Sequence, residues 1–109
     1  MAQFDVHRNM GALRETIPFV VLVQSAQFDR YRRRVVVPLV RRNALATNTP
    51  TVGARMNPVF TVDATEVVLH PLDMVSVPVD QLGECIGSLA AQGQRIADAL
   101  DELLTRSWG

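Results

Sequence analysis

The segment MVSVPVDQLGECIGSLAAQGQRIADALDELLTRSWG, residues 74–109, holds the longest helical pattern in the chain. Its apolar residues recur at spacings of seven, four and three, which is typical of a helix with one buried face. This stripe consists of Leu89, Ile96, Leu100 and Leu103. The pattern predicts a helix over residues 89–106, with the Ser88 hydroxyl capping its first turn. Gly93 falls on the predicted core face, where it allows another element to approach closely.

Two positions upstream would extend the same stripe, Ile86 and Leu82, but Gly83 and Gly87 interrupt it. An interior glycine costs a helix about 1 kcal/mol relative to alanine. We therefore place the helix start after these glycines.

The chain closes on a tryptophan, Trp108, followed by Gly109. A terminal indole is a large apolar surface, and two interpretations stay open. It either folds back onto the core or contacts another chain, since tryptophan is enriched at binding hot spots.

Length and composition indicate one globular domain, residues 1–109, with 48% hydrophobic residues. The formal net charge is zero, which argues against direct sequence-specific binding of nucleic acid and against an acidic membrane surface. The single cysteine, Cys85, excludes an internal disulfide framework. Because the sequence has neither a signal-peptide pattern nor an apolar run near 18 residues, we expect a cytoplasmic protein.

The first two thirds of the chain predict short strands, because they are rich in β-branched residues or alternate apolar with polar positions. Pro38 lies within one run and cannot donate a ladder hydrogen bond, so that strand is expected at a sheet edge or with a bulge. A long excursion over residues 41–57 shows no sustained period. The predicted strands are 3–8, 19–23, 35–40, 58–63 and 66–70, the last two forming a hairpin, and residues 74–79 form either a strand or a one-turn element.

Closely spaced short strands followed by one terminal helix predict a mainly β (α+β) domain. The expected architecture is a small antiparallel barrel or half-barrel with the helix packed against it.

Catalytic and metal-binding patterns are sparse. His7 and His70 fall in separate predicted strands and Cys85 in neither, so we expect no metal, no cofactor and no catalytic residue. For Cys85 we favour a small buried hydrophobe over a reactive thiol.

The concentrated charge is an arginine-rich run, Arg30 and residues 32–34. We interpret it as a solvated strand edge whose charges discourage aggregation. The alternative is a contact with RNA or with an acidic peptide.

Several segments stand in an order that resembles the CcdB-type toxins, the gyrase poisons of type II toxin–antitoxin modules. The resemblance covers nearly the full length. These segments are Gln3-Phe4-Asp5-Val6, Val23-Gln24-Ser25, Val35-Val36-Val37-Pro38-Leu39, Asn57-Pro58-Val59-Phe60, Met74-Val75-Ser76-Val77-Pro78-Val79, Leu82-Gly83-Glu84 and Ile96-Ala97-Asp98-Ala99-Leu100-Asp101.

The resemblance implies an SH3-like small antiparallel barrel with a C-terminal α-helix, assembled as a twofold homodimer. It implies a protein that is not an enzyme but binds the gyrase A subunit and traps the gyrase–DNA cleavage complex. It further implies neutralisation by a cognate CcdA-like antitoxin, whose disordered tail folds on the toxin.

The resemblance also implies two sets of binding residues. The gyrase-binding set is Trp108, Gly109, Asp101, Thr105 and Phe28. The antitoxin-binding set is Gln3, Phe4, His7, Ser25 and Gln27. The chain departs from the family at His7, where a tyrosine is usual, and at Gln27-Phe28, which replaces an aliphatic pair. Leu22 and Ala26 stand where acidic residues often flank Val-Gln-Ser, and the terminus lacks the usual isoleucine.

Two rival functions stay open because a fold does not determine a function. One is a member of the same family that binds its antitoxin but no longer poisons gyrase, which the missing isoleucine and Gln27 favour. The other is an endoribonuclease toxin like the MazF-type toxins, with the arginine run holding RNA phosphate and His7 or His70 acting in acid–base catalysis.

Overall fold

The computed structural model describes residues 1–45 and 52–105. Seven strands are followed by one α-helix, with short 3-10 turns between several of them. The predicted site residues Trp108 and Gly109, and the predicted helix end at residue 106, lie outside the described residues. The elements are β1 Asp5–Asn9, β2 Phe19–Leu22, β3 Arg33–Arg41, β4 Val59–Val62, β5 Thr65–Leu69, β6 Val75–Pro78, β7 Leu82–Ser88 and α1 Gly93–Leu104.

All seven strands form one antiparallel sheet in the order β4-β5-β3-β2-β1-β7, with β6 also paired to β3. The mainly β half-barrel with a C-terminal helix was therefore predicted correctly. One face of the sheet forms the core with α1, whose Ile96 and Ala99 are completely buried. The strands contribute mostly valine, leucine and phenylalanine to this core, since the alternation along each strand sends these residues inward.

The prediction that Pro38 marks a sheet edge or a bulge is wrong, because β3 has partners on both sides and its register with β2 runs unbroken through Pro38. β2 pairs along one side, while β6 and β5 share the other. The carbonyl of Pro38 accepts the His70 N–H at 3.1 Å, so the backbone of Pro38 faces the second side. There β6 pairs residues 33–36 and β5 pairs residues 39–41, leaving Pro38 at the gap between them. Pro38 cannot donate a bond in return to the His70 carbonyl, which accepts the Asp73 N–H at 3.1 Å instead.

The predicted hairpin is present as β4 and β5. Its two loop residues, Asp63 and Ala64, have φ of 49° and 60°. Positive φ at both positions is the type I′ geometry that matches the twist of the flanking strands.

The predicted helix start is wrong. Residues 82–88 form the strand β7 instead of a broken helical stripe, and a 3-10 turn over Ala90–Gln92 precedes α1. The Ser88 hydroxyl does accept a backbone N–H, that of Ala90 at 3.0 Å, but it serves this turn and not the helix. The two glycines that interrupt a helix are compatible with a strand at a sheet edge, which is where β7 lies.

Candidate functional site

The N-terminal segment lies across the start of α1. Phe4 donates its backbone N–H to Leu22 at 2.6 Å, and its carbonyl accepts the Leu89 N–H at 2.9 Å. These bonds hold the Phe4 backbone at a φ of 71°, a left-handed conformation that residues other than glycine rarely adopt. Its ring then covers Gly93, where an added Cβ would lie 2.5 Å from Cε2 of the ring. The expected close approach at Gly93 is thus confirmed.

Gln3 extends the same surface, because its Nε2 donates to the Val23 carbonyl at 3.1 Å. Gln3 and Phe4 therefore lie against the end of β2, beside the loop of residues 23–29. Ser25 and Gln27 belong to that loop, so the structure brings four of the five predicted antitoxin-binding residues to one surface.

A buried arginine organises this loop. The Arg34 side chain is 0% exposed, and its guanidinium donates to the Asp29 carboxylate at 2.6 Å, to Gln24 Oε1 at 3.2 Å and to the Ser25 carbonyl at 3.1 Å. The interpretation of the whole arginine run as a solvated edge is therefore wrong at Arg34. Arg34 lies on β3, where the loop covers it, and residues 24–29 of that loop accept its hydrogen bonds.

Two bonds hold the Asp29 carboxylate. The N-terminal ammonium donates to Oδ2 at 2.9 Å, and Arg34 donates to Oδ1. Together they lower the pKa of Asp29 below its ordinary value of 3.8, the N-terminal hydrogen bond contributing most and the Arg34 bond next.

Phe28 was predicted to contact gyrase, and it lies in the same loop as Ser25 and Gln27. Its half-buried ring sits 5.9 Å from that of Tyr31, which is 58% exposed. Gln27 is exposed beside it. The loop thus presents an amide next to an aromatic pair.

The other described gyrase-binding candidates, Asp101 and Thr105, lie at the far end of α1. The Thr105 hydroxyl donates to Asp101 Oδ1 at 2.7 Å, and Arg55 approaches Asp101 at 3.5 Å. Arg55 also lies 3.7 Å from Asp98 and 3.8 Å from Glu102. At 1.5 Å per residue, this end of α1 lies roughly 12–18 Å along the axis from Phe4 and Gly93. Of the described candidates, Phe4 therefore contacts the first turn of α1, whereas Asp101 and Thr105 lie at its other end.

An exposed leucine, Leu104, belongs to this end of the helix. Leu104 is 60% exposed, and Leu72, in the 3-10 turn packed against α1, is 72% exposed. Sequence periodicity finds neither, because it predicts the face that is buried within the chain and says nothing about apolar residues left outside it.

His7 was predicted to bind the antitoxin, but its ring is only 5% exposed. Its Nδ1 lies 3.0 Å from the Gly83 carbonyl. Cys85, predicted to be buried, is exposed, and it is the cross-strand neighbour of His7. With Asp5 they form a group whose potential ligand atoms all lie within 4.8 Å of one another. The expectation that Cys85 is buried is therefore wrong, and the sequence spacing of the three residues did not indicate this group.

No helix among residues 1–45 and 52–105 combines the length and apolar character needed to cross a membrane.

The fold and the whole order of segments match one known family. The family described as CcdB protein matches residues 3–106, which is nearly the full chain. No curated protein matches the sequence significantly. The chain therefore belongs to the CcdB family, whose members are toxins of toxin–antitoxin modules.

Proposed function

We propose that this toxin acts by binding the gyrase A subunit and trapping the cleaved gyrase–DNA complex, without catalysing a reaction of its own. The observation that carries the proposal is the family match over residues 3–106. It includes β1 to β7 and all of α1, the elements on which the proposed contacts lie.

The far end of α1 is the proposed gyrase contact. Leu104 exposes apolar surface there, and the polar side chains of Asp101 and Thr105 lie within four residues of it on α1 and its C-terminal cap. Apolar anchors with a polar rim are the usual composition of a binding hot spot. In this proposal Trp108 and Gly109 complete the contact.

A homodimer is part of the same proposal. Two copies that meet around the end of α1 would present two gyrase contacts on one side of a twofold axis. The family match supports this arrangement, because the resemblance to CcdB-type toxins implies a twofold homodimer. Sedimentation of the purified chain tests the dimer separately.

The proposed antitoxin surface is the one built from Gln3, Phe4, Ser25 and Gln27. The buried Arg34 holds the loop of this surface by donating to the Ser25 carbonyl, and the exposed Tyr31 lies at its edge. A disordered antitoxin tail that folds on this surface would gain aromatic contacts at Phe28 and amide hydrogen bonds at Gln27. The cognate partner in this proposal is a CcdA-like antitoxin.

The endoribonuclease alternative gains no support from the geometry. Arg34 donates its hydrogen bonds within its own protomer, and His7 is buried against the Gly83 carbonyl. Neither is placed to meet an RNA phosphate, so the arginine run offers less cationic surface than its composition suggests.

Binding to the immobilised breakage–reunion domain of gyrase A tests the proposal. We expect Leu104→Ser to weaken this binding and Gln27→Ala to leave it unchanged, while Gln27→Ala weakens binding of the cognate antitoxin. A folded full chain that binds the antitoxin but not the gyrase domain would identify the family member that no longer poisons gyrase. Cleavage of RNA by the purified chain would instead support the endoribonuclease.

A further inference from the structure

We propose that Asp5, His7 and Cys85 form a binding site for one zinc ion per chain. The site lies on β1 and β7, on the opposite side of β1 from the core residue Val6. It does not depend on the gyrase contact, and it is distinct from the loop of residues 23–29.

Strand geometry brings the three side chains together. Asp5 and His7 are two residues apart on β1, so they project to the same face of the sheet, whereas Val6 between them enters the core. Cys85 of β7 is the direct cross-strand partner of His7. The carboxylate, a ring nitrogen and the thiol lie within 4.8 Å of one another.

A bulge in β7 creates this pairing. Val6 pairs with Gly87, so an unbroken antiparallel ladder would place Ile86 opposite His7. The register shifts by one residue, and Cys85 takes that place instead. Bulges commonly re-aim a side chain in this way near functional sites.

The hydrogen bonding of His7 is a second observation, independent of the strand geometry, that points to a bound ion. The Nδ1 of His7 faces a carbonyl oxygen, which can only accept, so Nδ1 is the donor in this contact and Nε2 is the nitrogen left to bind a ligand. Within the described part of the chain, Nε2 is the one buried side-chain polar atom with no hydrogen-bond partner. A buried polar atom left in this state is rare and calls for an explanation.

A metal ion supplies that explanation. Metal-ligating histidines almost always donate their second ring N–H to a carbonyl or carboxylate, which fixes the tautomer. His7 makes this bond to Gly83, a residue that is packed so closely on β1 that a Cβ would lie 2.6 Å from the Arg8 carbonyl.

The donor set selects zinc by its chemistry. One thiolate, one imidazole and one carboxylate suit a borderline-soft divalent ion, whereas calcium and magnesium prefer oxygen ligands alone. Ligand atoms on a tetrahedral zinc lie roughly 3.3–3.8 Å apart, given bonds of about 2.0–2.3 Å. The three donors lie within 4.8 Å of one another, and binding would draw them to that spacing by side-chain rotation at Asp5 and Cys85, with water in the fourth position.

Direct titration of the tag-free full chain with zinc chloride tests the proposal, after removal of metal by a chelator and reduction of the thiol. We expect one zinc per chain by calorimetry. Cobalt(II) as a second probe should give a sulfur-to-metal charge-transfer absorption. Bound zinc should also slow alkylation of Cys85 by iodoacetamide, a readout that does not depend on toxin activity.

Matched variants make the test specific. Cys85→Ser should abolish the charge-transfer absorption and weaken zinc at least ~10-fold, and it should fold because Cys85 is exposed. Asp5→Asn should weaken zinc while keeping the charge-transfer absorption. His70→Gln serves as the control, since His70 lies outside the group and pairs with Asp73 at 3.9 Å.

Three results would overturn the proposal. One is no zinc binding to the folded, reduced full chain. Another is zinc affinity that is equal in Cys85→Ser and in the wild type. The third is loss of binding in His70→Gln as large as that in Cys85→Ser.

Discussion

The Arg34 guanidinium lies 2.6 Å from the Asp29 carboxylate, with the arginine side chain fully buried and the aspartate 40% exposed. This pair joins the interior of β3 to the loop that carries Ser25, Gln27 and Phe28. The same carboxylate also binds the N-terminal ammonium. One aspartate therefore fixes the chain terminus and the proposed antitoxin surface relative to each other.

Acid should weaken this connection. Because the pKa of Asp29 is lower in the folded state than its ordinary value of 3.8, the folded protein binds this proton less tightly than the unfolded chain does. The contribution to stability is then fully present above that value and is lost as the pH falls through the lowered folded-state pKa. We expect the urea midpoint to fall more steeply with acid, between about pH 5 and about pH 2, in the wild type than in Asp29→Asn.

Glu66→Gln is the control for that measurement, because Glu66 pairs with Arg42 across an exposed surface. Its acid dependence should follow the wild type closely. Identical acid profiles for Asp29→Asn and the wild type would show that the pair with Arg34 does not set the pH dependence.

Replacement of Arg34 by methionine keeps much of the length of the side chain but removes its donors. Gln24 Oε1 and the Ser25 carbonyl then lose a partner in a partly buried site, so we expect the free energy of unfolding to fall by about 1–3 kcal/mol. Arg33→Met, on the exposed side of the same strand, should cost less than about 1 kcal/mol. Equal losses in the two variants, measured by urea unfolding, would contradict the assigned role of Arg34.

Gly93→Ala should displace the Phe4 ring. A methyl group at this position meets Cε2 at 2.5 Å, which is too close for a carbon–carbon contact, and Phe4 is held by two backbone bonds. We expect a loss of about 1–3 kcal/mol in the free energy of unfolding and weaker binding of the antitoxin. Gly87→Ala is the matched control, because nothing lies within 4 Å of the position that its Cβ would take. A stability equal to that of this control would show that the ring moves aside freely.

Two residues of α1 should separate stability from binding. Ile96 is 0% exposed, so Ile96→Ala should lower the free energy of unfolding by about 2–5 kcal/mol. Leu104→Ala, at a position 60% exposed, should change it by less than about 0.5 kcal/mol and weaken gyrase binding instead. The reverse outcome in thermal unfolding and binding assays would mean that the outer face of α1 had been misassigned.

Local patterns predicted much of the fold correctly. The valine-rich runs became β2 and β3, and the run ending at Val62 became one side of a hairpin. These signals are local, because alternation and β-branching act within a few residues. Pro38 misled the prediction since its effect depends on which strand lies opposite its missing N–H, and that is decided by the pairing of distant segments.

The candidate sites depend on distant pairing even more strongly. His7 and Cys85 are 78 positions apart in the sequence, and a one-residue bulge in β7 makes them neighbours. The sequence predicted an exposed Arg34, because the groups that accept its hydrogen bonds are brought to it only by the folding of the loop of residues 23–29. The glycines at 83 and 87 were the available signal for β7, since glycine inside a strand often marks a bulge or a close backbone approach.

Trapping of cleaved DNA by gyrase tests the central claim most directly. Purified full chain is incubated with gyrase, ATP and plasmid, and linear DNA is scored after denaturation of the enzyme, beside a truncation that lacks Trp108 and Gly109. We predict that linear DNA accumulates with the full chain, disappears with the truncation and is suppressed by the cognate antitoxin. A folded full chain that leaves supercoiling intact and yields no linear DNA, on gyrase that a related toxin poisons, would contradict the account.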